Sequence, residues 1–99
     1  MRVMLRAHLD TQASNEAIRN GTLSKIMEGM VERLKPEAAY FGPSEGDRSC
    51  TFVFDMQDSS QLPTIAEPLF QGLGARFEIQ PVMNAADLKK GLTALQQQS

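Results

Sequence analysis

His8, Tyr40 and Cys50 are each the only residue of their type in this 99-residue sequence, and each can do chemistry its neighbours cannot. An imidazole changes charge near neutral pH, so His8 can serve as a general base or orient a ligand. A phenol can hold a substrate oxygen without ionising, which suits Tyr40 to a supporting part. If the chain is an enzyme, His8 and Tyr40 are its catalytic candidates by elimination, because Asp and Glu need burial to be tuned toward neutrality. Each also has a plainer reading. His8 can be a surface or interface histidine held by Asp10, Asp55 or a backbone carbonyl. Tyr40 can be a core residue with its hydroxyl at the rim. No spacing ties either residue to a partner, so the plainer readings weigh more. Cys50 alternates with residues expected to face the core, where a free thiol acts as a small hydrophobe rather than a nucleophile.

The rest of the sequence argues against a bound cofactor. There is no second histidine, no His-x-x-x-His and no Cys-x-x-Cys, so no metal site is expected. Haem would have only His8 as an axial ligand. Gly72-Leu73-Gly74 reads as a helix stop, not a phosphate loop, because no helix follows it directly. A net charge of −2 offers no electrostatic footprint for nucleic acid or an anionic membrane. No stretch approaches the roughly 20 apolar residues of a membrane span. Arg6 and His8 interrupt the first apolar run, so no signal peptide is expected. One cysteine excludes an internal disulfide, and a cytoplasmic location is expected.

The elements that must position these residues follow from periodicity. Residues 2–10 alternate, with Val3, Leu5, Ala7 and Leu9 apolar, which predicts a strand covered on one side. A short helix over 12–20 is broken by Asn20-Gly21. A stronger one over 22–34 carries Leu23, Ile26, Met27, Met30, Val31 and Leu34 on one stripe. Lys35-Pro36 ends it. Residues 37–42 and 48–56 read as a hairpin around a turn cluster at 42–47. A helix over 61–72 presents Leu62, Ile65, Ala66, Leu69, Phe70 and Leu73, with Pro68 facing outward. Residues 75–83 alternate again. Asn84 caps a last helix with Asp87 at the capping-box position; Leu88, Leu92 and Leu95 are its apolar side, and its final glutamines are expected to fray. The order is that of a ferredoxin-like α+β domain, βαββαβ, in one unit over 1–99. It has a four-stranded antiparallel sheet, helices on one face and an added short C-terminal helix.

Alternation leaves the reverse sheet face with Arg2, Met4, Arg6, His8, Thr51, Val53, Asp55, Arg76, Glu78, Gln80 and Val82. Charges of both signs mixed with apolar residues suit a self-complementary contact. A homodimer through Arg6, His8, Asp55, Arg76 and Glu78 is expected, with a solvated face as the alternative. Asn15, Glu16 and Arg19 lie where the first helix leaves the sheet. With Met27, Asn15 and Arg19 are the candidates for lining a helix–sheet ligand cleft; the alternative is a solvated helix face.

Residues 2–95 resemble the dimeric α+β barrel superfamily in element order and length. Lys35-Pro36-Glu37-Ala38-Ala39-Tyr40-Phe41 and Pro81-Val82-Met83-Asn84 are similar to stretches of an uncharacterised branch of small bacterial proteins. The resemblance implies two sheets packed face to face about a twofold axis. It does not fix function, since the superfamily holds cofactor-free oxygenases, isomerases, haem-degrading enzymes and ligand-sensing domains. Haem-degrading members place their histidine on a helix, and His8 departs from that. The leading expectation is a homodimeric module that binds a small apolar or aromatic molecule between helices and sheet. The alternatives are a cofactor-independent oxygenase or isomerase acting on an aromatic or quinone-like substrate, and a protein-interaction module.

Overall fold

Period-two patterning builds the sheet, and β1 (Arg2–His8) is its centre. The computed structural model describes residues 1–98. After β1 come α1 (Thr11–Arg19), α2 (Thr22–Leu34), β2 (Ala38–Ser44), β3 (Asp47–Asp55), a 3₁₀ turn at Ser59–Gln61, α3 (Leu62–Leu73), β4 (Arg76–Pro81) and α4 (Ala85–Gln98). The strands lie in the order β2-β3-β1-β4, and every neighbouring pair is antiparallel. This is the α+β, ferredoxin-like arrangement the sequence predicts, with α1 and α2 filling the first crossover.

The register sorts the two faces. Leu5 pairs with Phe52 and Ile79, and Ala7 with Cys50 and Phe77, so these side chains point to one side. There Val3, Leu5, Ala7, Phe52, Phe54, Ile65, Leu69, Leu73 and Met30 make a single buried core. Helices α1, α2 and α3 pack against one another over it. Gly72 allows the close approach of α2 and α3, since a Cβ there would stand 2.6 Å from Ile26 Cδ1. The helix stops work as the sequence implies. Gly21 adopts φ 80 between α1 and α2, Lys35 before Pro36 adopts φ 45, and Gly74 caps α3 at φ 54.

Two expectations need correction. The turn cluster at 42–47 shrinks to two residues: Glu45 and Gly46 take φ 53 and 81, and Ser44 pairs with Asp47. Two left-handed residues match the twist of a tight hairpin, so Gly42 and Pro43 are drawn into β2. Pro43 is tolerated because β2 is an edge strand. Gln96 to Gln98, expected to fray, are helical. Most telling is α4. Its Asn84–Asp87 capping box forms, with Asp87 N–H donating to Asn84 Oδ1 at 2.8 Å and Asn84 N–H to Asp87 Oδ2 at 3.1 Å. Yet none of its residues is buried, and Leu88, Leu92 and Leu95 remain 45%, 50% and 62% exposed. None of the described helices is long and apolar enough to cross a membrane.

Candidate functional site

Two concavities open on opposite sides of the sheet near the β2–β3 hairpin. The first lies between α2 and the sheet edge. It measures about 320 Å³ and is lined by Leu9, Leu23, Met27, Phe41 and Cys50, with Arg48 and Ser49 as its polar margin. It lies where Leu23 and Met27, on the first two turns of α2, face Phe41, Gly42 and Pro43 of β2. There Gly42 and Pro43 offer little side chain to fill the gap. Of the three candidates for ligand contact, Met27 lines this cavity and Asn15 and Arg19 do not. Arg19 is exposed and pairs with Glu16 on its own helix at 3.6 Å.

The second concavity is on the open sheet face. It measures about 250 Å³ and its lining includes Arg6, His8, Tyr40, Ser49 and Thr51. Register explains the grouping: Arg6 pairs with Thr51 and Thr51 with Tyr40, while His8 pairs with Ser49. Side chains of facing residues share one side of a sheet. Tyr40 is 71% exposed here, so the core reading of this residue is corrected. Its position on the edge strand, with its neighbour Phe41 turned to the helix side, puts the phenol over the open face. His8 Nδ1 is buried and has no hydrogen-bond partner among the described residues. None of the carbonyls or carboxylates proposed for it bonds that atom.

The charged residues of this face are not all matched within the chain. Arg76 meets Asp47 at 3.3 Å and Glu45 at 3.8 Å. Asp55 accepts from Gln57 Nε2 at 2.7 Å and from the Met1 amino group at 2.6 Å. Arg6 and Glu78 are cross-strand neighbours, yet neither makes an ion pair among the described residues. Among the described residues no three His, Cys, Asp or Glu side chains converge as metal ligands do.

Cys50 forms part of both walls and is buried. Burial pushes its thiol up from 9.0 to about 11, because the thiolate loses hydration there. The neutral thiol's stabilising contribution is therefore complete below pH 9 and is lost as pH rises from 9 toward 11. At pH 8 the thiolate fraction is lower than that of an ordinary thiol by roughly a hundredfold. Native protein is expected to react with Ellman's reagent at least that much more slowly than urea-unfolded protein. Equal rates would place the thiol in solvent.

One anchor escaped the sequence reading. Arg48 Nη1 donates to Ser14 Oγ at 2.7 Å, and Ser14 is fully buried on α1. The bond ties β3 to α1 beside the helix–sheet cavity. In sequence Ser14 offers only a local helix cap beside Asp10 and Thr11, and the partner it meets lies 34 residues away.

No curated protein matches the chain. Among solved structures, "De novo designed protein Ferredog-Diesel" is similar, with a TM-score of 0.50 and 8% identity. The alignment covers 82% of this chain and 85% of that one, and at this identity it speaks to the fold alone. The profile of DUF3303, described as a domain of unknown function, matches residues 1–96, and the chain belongs to that family.

Proposed function

We propose that this protein is a homodimeric binding module of the dimeric α+β barrel type that takes a small apolar or aromatic molecule into the helix–sheet cavity. The observation that carries the reading is the cavity itself. Its wall of Leu9, Leu23, Met27, Phe41 and Cys50 is almost wholly apolar. Its volume falls at the lower end of the roughly 300–1,000 Å³ of ordinary ligand sites. A molecule of one or two rings fits that description. Met27 supplies an adaptable surface, while Arg48 and Ser49 at the margin can orient one polar group. The lone thiol suits a reducing compartment, which supports a cytoplasmic location.

Native mass spectrometry of freshly purified protein tests copy number and retained ligand together. Titration with 1-naphthol as a probe then tests the site. Met27→Trp and Leu23→Trp each fill the cavity from a half-buried position on α2, and each is expected to weaken binding at least tenfold with unchanged circular dichroism. Unaltered affinity in both variants would remove the cavity from the account.

A second reading rests on a separate observation, the joint presence of His8 and Tyr40 in the open-face concavity with His8 Nδ1 unpartnered. In this reading the protein is a cofactor-independent oxygenase or isomerase for an aromatic or quinone-like substrate. The two reactions share a first step, transfer of a substrate proton to the imidazole while Tyr40 holds a substrate oxygen. In one copy this concavity is open to water. A second sheet packed on the face, through Arg6, His8, Asp55, Arg76 and Glu78, supplies the enclosure such chemistry needs. That contact also gives the unpaired Arg6 and Glu78 a partner across the twofold axis. Sedimentation at micromolar concentration is expected to show twice the 10.9 kDa chain mass. A strict monomer overturns the barrel.

A further inference from the structure

The helix α4 is anchored firmly at its start, and its leucine stripe is largely exposed. Its first turn is fixed twice, by the Asn84–Asp87 capping box and by Arg2 Nη1, which donates to Asp87. Arg2 also bonds Glu37, so the helix root is tied to β1 and to the start of β2. Beyond that root, Leu88, Leu92 and Leu95 recur at i, i+4 and i+7 and are 45%, 50% and 62% exposed. We propose that α4 is an arm that docks on a second copy of this chain. The inference rests on the homodimer argued above and names the element that secures it.

Dimensions support a second copy as the occupant. The radius of gyration is 15.9 Å, against about 12.6 Å for a compact chain of this length. The long axis reaches 57 Å where the other two are 27 and 18 Å, and the 14 residues of α4 make a helix about 21 Å long. The accessible surface is 6684 Å², whereas a compact 10.9 kDa monomer exposes roughly 5,600 Å². The surplus, roughly 1,100 Å², exceeds the ~800 Å² that each partner of a standard complex buries. The sheet face by itself has a footprint of only roughly 400–450 Å².

Continuity supports the same occupant. Val82, which follows β4 and donates its N–H to the Arg2 carbonyl on β1, shares a groove of about 580 Å³ with Pro81, Met83 and Leu88. The apolar stripe of α4 therefore begins where the proposed sheet-to-sheet contact ends. Charge speaks against a membrane surface, because Lys89 and Lys90 are the only cations on α4 and Asp87 offsets one of them.

The test compares three proteins by sedimentation equilibrium: the wild type, Leu88→Gln/Leu92→Gln/Leu95→Gln, and the milder Leu92→Gln. These leucines are not in the core, so circular dichroism is expected to show folded protein in each case. A wild-type dimer that the triple variant weakens at least tenfold, with Leu92→Gln between them, supports the arm. A wild-type dimer matched by the triple variant overturns the arm and leaves the sheet-to-sheet dimer standing. A wild-type monomer overturns both. Wild-type protein that co-sediments with phosphatidylcholine–phosphatidylserine vesicles, and a triple variant that does not, overturns the second copy in favour of a lipid surface.

Discussion

Phe52→Ala is expected to destabilise the fold by about 3–5 kcal/mol, the range for emptying a buried aromatic site. Phe52 is fully buried in β3, with Leu5 and Ala39 as its partners on either side. The space it vacates is bounded by two strands and by helices already in contact, so it collapses poorly. A domain of this size holds only about 5–15 kcal/mol in total, so the variant is expected to be largely unfolded near physiological temperature. Phe41→Ala is the matched comparison. Its ring meets Phe52 edge-on at 5.7 Å but is more than half exposed. Its loss is expected to cost about 1–2 kcal/mol, from the aromatic pair and partial burial. Urea unfolding of the two variants separates them, and similar midpoints would contradict the placement of the core.

His8→Ala is expected to lower turnover by roughly 10²–10⁴-fold if proton transfer is the protein's chemistry, which is about 3–5 kcal/mol of barrier. Tyr40→Phe removes only an orienting hydroxyl and is expected to cost about tenfold or less. The screen is a set of phenols, quinols and lactones, with rates followed against pH. Loss of the acid limb of the profile in His8→Ala identifies the imidazole as the base, which a merely structural histidine would not do. A wild type that turns over any of these substrates, with neither variant impaired, assigns the work to other residues. No turnover at all, with probe binding retained, leaves the apolar cavity as the function.

How much of this was legible beforehand depends on the range of the interactions concerned. Alternation at Val3-Met4-Leu5-Arg6-Ala7-His8 specified both a strand and which side of it is buried, because period two is a local property. The stripe from Leu23 to Leu34 and the Asn84–Asp87 cap were legible for the same reason: the partners lie within a few residues. The Gly42–Asp47 cluster was misjudged because turn-forming residues show that a turn exists, and only pairing of Ser44 with Asp47 decided how tight it is. Tyr40 was placed by register, which set it beside Thr51 and Arg6 on the open face. The bond from Arg48 to Ser14 and the two concavities depend on elements distant in sequence meeting in space. The leucines of α4 show the division most plainly. Sequence determined that Leu88, Leu92 and Leu95 form an apolar stripe, since helical period is set by the backbone. Tertiary structure decided that the stripe stays largely exposed, because Arg2 and Asp87 hold the helix root at the corner of the sheet and the core is already closed by α1, α2 and α3.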